Sequence, residues 1–275
     1  LVTYVAMLDV PRALVQHLGQ LLQAERRRRG TPRGVRALTC FWQAVLVLRW
    51  FRDGARLDRL ARDFGVSTAT AYRYLHEGIA VLAAQAPDLH EALDHARDAG
   101  PGHVVLDGSL IATDRVAEKV MSKKGKEIHL WYSGKHEKHG GNIQFLSAPD
   151  GFPLWTSDVR PGSVPDIEAA RELALPALYN AARDGLKTLA DKGYQGAGAG
   201  VLVPVKRQVN GIPLDEDNRT YNSLLTRLRA LGERAMALLK TRWKALQHVT
   251  LDPSRIGDIT RACLALTHFE HRRTH

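Results

Sequence analysis

The stretch His103 to Thr113, "HVVLDGSLIAT", decides how the chain divides, because its texture differs from everything before it. The apolar run Val104, Val105, Leu106 predicts a buried β-strand. The run ends on Asp107, followed by Gly108 and Ser109, which predicts an acid where the strand opens to solvent. Downstream, "GNIQFLSAPDGFPLWTSDV" (141–159) reads as strands joined by a tight Asp150–Gly151 turn, and "VPDIEAARELALPALYNAA" (164–182) as a helix. "GLKTLAD" (185–191) and "GVLVPVK" (200–206) are short buried strands, and "NRTYNSLLTRLRALGERAMALLKTRWKAL" (218–246) is a long amphipathic helix. Strands followed by alternating helices predict an α/β layer over residues 101–275, a mixed sheet flanked by helices.

Upstream of the strand the periodicity is helical. "AQAPDLHEALDHARDAGPGH" (84–103) loses the apolar repeat and ends in Gly100, Pro101 and Gly102, so it is taken as a linker closing an all-α domain over residues 1–100. Within that domain "ALTCFWQAVLVLRWF" (37–51) is nearly continuously apolar and predicts a buried helix. In "RLDRLARDFGVSTATAYRYLHEGIAVL" (56–82), Leu57, Leu60, Ala61 and Phe64 mark a short helix, Gly65 a turn, and Ser67 the N-cap of a second helix. This is a helix-turn-helix pattern. On the second helix Ala71, Leu75, Gly78 and Leu82 share one face, leaving Ala69, Thr70, Tyr72, Arg73 and His76 on the other, hydrogen-bonding side chains of a size suited to a DNA groove.

Charge supports that reading. The chain of 275 residues carries a formal net charge of +10. Between Leu21 and Leu75 twelve arginines face four acids, a local excess of +8. Such a concentration is the electrostatic footprint of a polyanion binder. No apolar run is long enough to cross a membrane, and the start "LVTYVAMLDV" is too acidic and short for a signal peptide, so a soluble intracellular protein is expected. The absent initiator Met fits either an alternative start codon or trimming. Cys40 and Cys263 lie in apolar helical patterns without metal-ligand spacing, which predicts core thiols and no redox chemistry.

Three acids carry the candidate chemistry. Asp191 follows "GLKTLA" and repeats the setting of Asp107, an acid after an apolar strand and before glycines. Two such acids call for positive charge between them, and hard divalent cations such as Mg²⁺ take carboxylate oxygens. A third acid is expected from the long helix: at 100° per residue Arg229, Glu233 and Lys240 fall on one stripe, which taken alone reads first as a solvated helix face with an Arg–Glu pair. Following Asp191, the "KGYQGAG" glycines predict close access for a DNA backbone, Lys192 neutralises phosphate, and Tyr194 either stacks on an unpaired base or packs in the core. "GKHEKHGG" places Lys135, His136, Lys138 and His139 in a hairpin loop, where lysines beside histidines favour phosphate contact over zinc, with a plain solvated loop as the alternative.

"LDGSLI", "LADKGYQG" and "RLRALGERAMALLKTRW", in this order, resemble the DDE-type transposases of bacterial insertion sequences, specifically the insertion sequence five group and its DDE superfamily endonuclease relatives. "YSGKHEKHGGNIQFL" and "PGSVPDIEAAR" extend the resemblance over the chain from about Thr31. It implies a ribonuclease H-like domain in which Asp107, Asp191 and Glu233 hold two Mg²⁺ ions, with Mn²⁺ able to substitute. It also implies double-stranded DNA as partner, both element ends and target, self-association in the DNA complex, and a bacterial cytoplasmic, nucleoid-associated location. The related pattern Tyr-x2-Arg-x3-Glu-x6-Lys maps onto Arg229, Glu233 and Lys240, with Thr226 in place of the Tyr. Lys240 would hold a phosphate, and Arg229 would either do the same or orient Glu233. The expected activity is DNA strand cleavage and transfer at terminal inverted repeats. A plain metal-dependent nuclease is the nearest enzymatic alternative, and an inactive or domesticated DNA-binding regulator the second class.

Overall fold

A computed structural model of the chain describes residues 7–100, 102–122, 125–207 and 213–271, the side chain of Glu233 excepted. Pro101, part of the expected linker, lies outside these residues. The chain separates into two compact units.

The first unit begins with four helices, α1 (Arg12–Arg28), α2 (Cys40–Asp53), α3 (Leu57–Asp63) and α4 (Thr68–Ala83). α1, which carries the arginine run, has no counterpart in the sequence reading; its Leu14, Val15, Leu18 and Leu22 are buried at helical spacing. Thr39 caps α2 by accepting a hydrogen bond from the Trp42 amide, and Ser67 caps α4 through the Thr70 amide. Gly65, at φ +62°, turns the chain between α3 and α4. Gly78 lets α4 pack closely on α2, since a Cβ there would come within 2.6 Å of the Val47 side chain. Not all of α2 is buried: Phe41 and Trp42, in its first turn, are exposed. Cys263 is fully buried, whereas Cys40, at the start of α2, is half-exposed.

The second unit begins with α5 (Leu89–Asp98), where a linker was expected. Asp88 and Glu91 form a reciprocal capping box, and Ala92, Leu93 and Ala96 are buried, so the weak apolar pattern still covers one face. The strands are β1 (His103–Ala112), β2 (Lys119–Met121), β3 (Glu127–His129), β4 (Tyr132–Ser133), β5 (Lys138–Ser147), β6 (Pro153–Thr156) and β7 (Arg160–Pro161). Then come α6 (Asp166–Leu173), α7 (Leu175–Arg183), β8 (Lys187–Leu189), β9 (Val201–Leu202) and α8 (Glu216–Arg229). α9 (Glu233–Arg242) and α10 (Ile256–Glu270) complete the elements. α9 leaves this unit at Lys240, and the chain from Asp258, most of α10, belongs to the first unit.

Among the described residues the main sheet has the order β4-β5-β1-β8-β9, with β6 and β7 also paired to β5, and β2 and β3 form a separate hairpin. β1 runs antiparallel to β5 and parallel to β8, so the sheet is mixed, as expected. Both faces of β1 are covered. Val104 and Leu106 pack with α5, α7, Trp155 and Tyr194, whereas Val105 packs with Leu189 and Leu225 of α8. Burial on both sides explains why the run reads as continuously apolar rather than alternating.

Three expected elements differ. The helix over 164–182 is two helices, broken at Ala174 ahead of Pro176 in the first turn of α7, because proline cannot donate the bond that would continue α6. The long helix over 218–246 is also broken, between Arg229 and Glu233. "GVLVPVK" contributes only the two paired residues of β9.

Candidate active site

The geometry starts from the register of β1 and β8. Val105 pairs with Leu189, the last residue of β8, so Asp107 and Asp191 each lie two residues beyond one matched pair. Asp107 does not end its strand, as the sequence suggested; β1 continues to Ala112 along β5. What ends is the neighbouring strand on its other side. Asp191 caps the single 3₁₀ turn Lys192–Tyr194, its Oδ1 accepting a hydrogen bond from the Gly193 amide at 2.7 Å.

Side chains alternate along β1, so Asp107 shares the α8 face with Val105, and Gly108 shares the opposite face with Leu106. On the first face, burial pushes the Asp107 carboxyl up to about 6, the negative charge of Asp191 adds to the rise, and the Gly108 amide and Arg229 oppose it. Arg229, the last residue of α8, is therefore within electrostatic reach of Asp107, and its Nε is buried without a hydrogen-bond partner among the described residues. The break after α8 brings Gly232 against β1, where a Cβ would lie 2.7 Å from the Val105 side chain. Glu233 follows directly, so its backbone starts α9 on the face that carries Asp107; its side chain lies outside the described residues.

The broken helix removes the single stripe expected for Arg229, Glu233 and Lys240, since 100° per residue does not carry across Ala230–Gly232. Glu233 and Lys240 still share α9, but Lys240 belongs to the first unit, where burial pushes its ammonium down. Thr226 returns its hydroxyl to the Asn222 carbonyl at 2.7 Å, an ordinary helical contact.

The glycines after Asp191 are required by the chain's own path. Gly196, Gly198 and Gly200 have φ of +78°, +98° and +83°, and Gly198 and Gly200 face Tyr179 and Ala182. Tyr194 is fully buried and donates to Gln144 Oε1 at 2.6 Å, so of its two expected roles the core one holds and base stacking does not. Lys192 is exposed on the turn beside Asp191. Lys135 and His136 lie in the loop between β4 and β5, Lys138 opens β5, and all three are exposed. On α4, Tyr72 and Arg73 are exposed and Thr70 and His76 half-buried, while Ala71, Leu75 and Leu82 are in the core.

The sequence reading missed Asp166, at the start of α6. Its Oδ1 lies where a side chain at Gly108 would be, 2.5 Å from an ideal Cβ there, so it abuts the opposite face of β1 one residue past Asp107. Its Oδ2 accepts from Lys135 Nζ at 2.9 Å and its Oδ1 from Asn142 Nδ2 at 2.8 Å. "PGSVPD" offers a proline-led helix start with an acid in the first turn, a capping pattern common enough to conceal a role.

Among the described residues no three His, Cys, Asp or Glu side chains converge closely enough to hold a metal. Asp107 and Asp191 do supply hard oxygen donors, and the rise at Asp107 records a buried carboxylate beside a second negative charge, which a cation would relieve. This donor chemistry suits a divalent ion of the Mg²⁺ kind.

A family model described as DDE superfamily endonuclease matches residues 106–268, more than half of the chain. No curated protein and no solved structure matches it.

Proposed function

We propose that this chain, which belongs to the DDE superfamily endonucleases, is an insertion-sequence transposase that binds the terminal inverted repeats of its element and cuts and rejoins DNA there. The observation that carries the reading is the matched position of Asp107 and Asp191 beyond the paired ends of β1 and β8, with the start of α9 packed on the same face. Asp107, Asp191 and Glu233 would hold the divalent ions. When bound, Mg²⁺, or Mn²⁺ in its place, supplies Lewis-acid stabilisation of the attacking and leaving oxygens in an in-line displacement at phosphorus. In cleavage a water oxygen forms the new P–O bond while the bond to the 3′ oxygen breaks, the water giving up a proton and the departing 3′ oxygen taking one up from solvent; in transfer the freed 3′ hydroxyl gives up its proton and bonds to a target phosphorus, while the bond from that phosphorus to the target strand's own 3′ oxygen breaks and that oxygen is protonated. Arg229 favours the ionised form of Asp107, keeping it available as a ligand.

Docking is assigned to the N-terminal helices, with α3 and α4 as a DNA-binding helix-turn-helix and Thr70, Tyr72, Arg73 and His76 facing the groove. Lys240 is assigned a phosphate contact, and Lys135, Lys138 and Lys192 contacts with the DNA backbone. Double-stranded DNA, as element ends and as target, is the partner, and the chain self-associates in the DNA complex. No described helix is long and apolar enough to cross a membrane.

The test uses the purified full chain with its flanking element ends and Mg²⁺, mapping cut 3′ ends. Asp107→Asn, Asp191→Asn and Glu233→Gln should bind the ends as the wild type does and cut at background rate. Near-wild-type cutting by one amide variant removes that residue from the site. Wild-type binding without any cutting would make the protein a DNA-binding regulator.

A further inference from the structure

On the Gly108 face of β1 a cleft of about 320 Å³ is lined by Lys135, His136, Asn142, Ser163, Asp166 and Gly193, the last two residues from Asp191. The volume corresponds to about ten waters. Its polar wall is ordered in one direction. Tyr194 donates to Gln144 Oε1 at 2.6 Å, Gln144 Nε2 donates to Asn142 Oδ1 at 3.0 Å, and Asn142 Nδ2 donates to Asp166 Oδ1 at 2.8 Å. A carboxylate accepts only, so Asp166 sets the orientation of both amides behind it. The far end of the chain, Tyr194, closes the turn that Asp191 caps. The near end is Lys135, whose ammonium Asp166 holds at 2.9 Å.

The two partners differ in freedom. The Lys135 side chain is 63% exposed and that of Asp166 is 16% exposed. An ion pair so open to water is weak, and the lysine can turn to another anion while the acid stays fixed by Asn142. The ammonium is pushed up by Asp166 and, more weakly, by Asp191 and Asp107, which places it within reach of their field and keeps it charged. The loop that carries it is itself constrained, with Glu137 at φ +53° between β4 and β5.

We propose that this cleft binds a phosphate of the DNA strand next to the one being cut, with Lys135 as the contacting cation and Asp166 as the positioning residue that aims it. The proposal rests on the DNA-cutting reading above. With no phosphate bound, the ammonium pairs with Asp166; as DNA enters, a phosphodiester oxygen accepts from another of its three N–H donors while Asp166 keeps its own. Asp166 and the Asn142–Gln144–Tyr194 chain then register that phosphate against the turn bearing Asp191.

The test uses the full chain with wild type, Lys135→Gln, Lys135→Arg and Asp166→Asn. Binding to an element-end duplex and to a random duplex is measured in EDTA over a salt series, and cutting with Mg²⁺ is resolved into kcat and KM. Lys135→Gln should make the log–log salt slope shallower by about 0.9, the loss of one phosphate contact, and raise KM. Lys135→Arg should restore the slope. Asp166→Asn should bind as well as wild type or better, having lost a competing charge, yet cut at least about threefold more slowly in kcat, because electrostatic positioning of this kind acts on the transition state. An unchanged slope in Lys135→Gln overturns the site, and unchanged kcat and KM in Asp166→Asn overturn the positioning role. Should Asp166→Asn melt early, the salt slope of Lys135→Gln decides the site, because that substitution alters only an exposed side chain. Binding of millimolar inorganic phosphate that Lys135→Gln abolishes, without any change in the DNA salt slope, would assign the cleft to the free ion and overturn the strand contact. Wild type that never cuts while the slope effect persists sinks the cutting reading and leaves the cleft intact.

Discussion

Asp107, proposed above as a metal ligand, works against the stability of its own fold. Its folded carboxyl titrates at about 6 against an ordinary 3.8, chiefly through burial and then through Asp191. The folded state therefore binds a proton more tightly than the unfolded one, so stability falls as pH rises from about 4 to 6, and the cost of ionisation is fully present above that window. Two pKa units correspond to about 3 kcal/mol. Asp107→Asn should raise the melting temperature in EDTA at pH 8 and flatten the pH dependence between 4 and 6. Mg²⁺ should raise the melting temperature of the wild type and leave the variant unmoved. Equal melting of the two proteins in EDTA across this range would show that the buried charge is already compensated. Arg73 poses a different question, because its side chain is exposed on α4 and donates to Thr70 Oγ1 at 3.0 Å. If it reads a base edge, Arg73→Ala should weaken binding to the element end by about 1–3 kcal/mol and to random duplex by much less. Equal losses on both would make it a phosphate contact.

The interruption between α8 and α9 matters more than either helix. Amphipathic periodicity runs through Arg229 to Lys240 without a proline, and the break falls at Ala230–Gly232, where Gly232 approaches Val105 closely. Val105 is 1% exposed and has no room to retreat. Gly232→Ala should therefore destabilise the protein by about 1–3 kcal/mol through overpacking and slow cutting by displacing the start of α9. Adding Val105→Ala should recover part of both losses, a coupling that thermal unfolding and cleavage rates read together. Additive losses in the double variant would mean that the two residues do not share this contact. α5 teaches the complementary lesson. Its capping box was present in the letters Asp88 and Glu91, but an apolar face of only Ala92, Leu93 and Ala96 is too narrow for periodicity to expose. Its partners in the core cluster come from distant segments, among them Leu146, Trp155 and Leu178.

The helical unit is assembled from both ends of the chain. Residues up to Ala86 combine with Lys240–Gln247 and the chain from Asp258. Trp243, Leu246, Cys263, Leu264 and Leu266 are fully buried. Phe269 stacks on His17 at 4.4 Å, and Arg242 bridges Asp9 and Glu270. A fragment of residues 1–100 lacks all of the C-terminal members and should melt without a cooperative transition by circular dichroism. A sharp melt like that of the whole chain would show that the four N-terminal helices suffice. DNA affinity should be measured on the whole chain for the same reason, and it should fall steeply with salt. The slope should nevertheless be smaller than twelve arginines suggest, since Arg28 and Arg29 pair with Glu25, Arg36 with Glu77, Arg49 with Asp63, and Arg52 with Asp9. A flat salt response would remove this unit as the docking surface.

Local chemistry was enough for several conclusions. Two acids in matching strand contexts, a basic helical segment, the caps at Thr39 and Ser67 and the turn at Gly65 all depend on residues close in sequence, where spacing carries the physics. Asp107 and Asp191, 84 positions apart, could be paired by resemblance of setting, because parallel strands repeat the same buried run. Contacts between distant segments left no comparable trace. Asp166 joined Lys135, Asn142 and Gly108, Gly232 met Val105, and Trp243 found its hydrogen-bond partner in Thr267. None of these pairs has a periodicity or a cap to announce it. Each exists because sheet register and helix packing bring together side chains that the sequence keeps tens of residues apart, and only the folded chain fixes which of them meet.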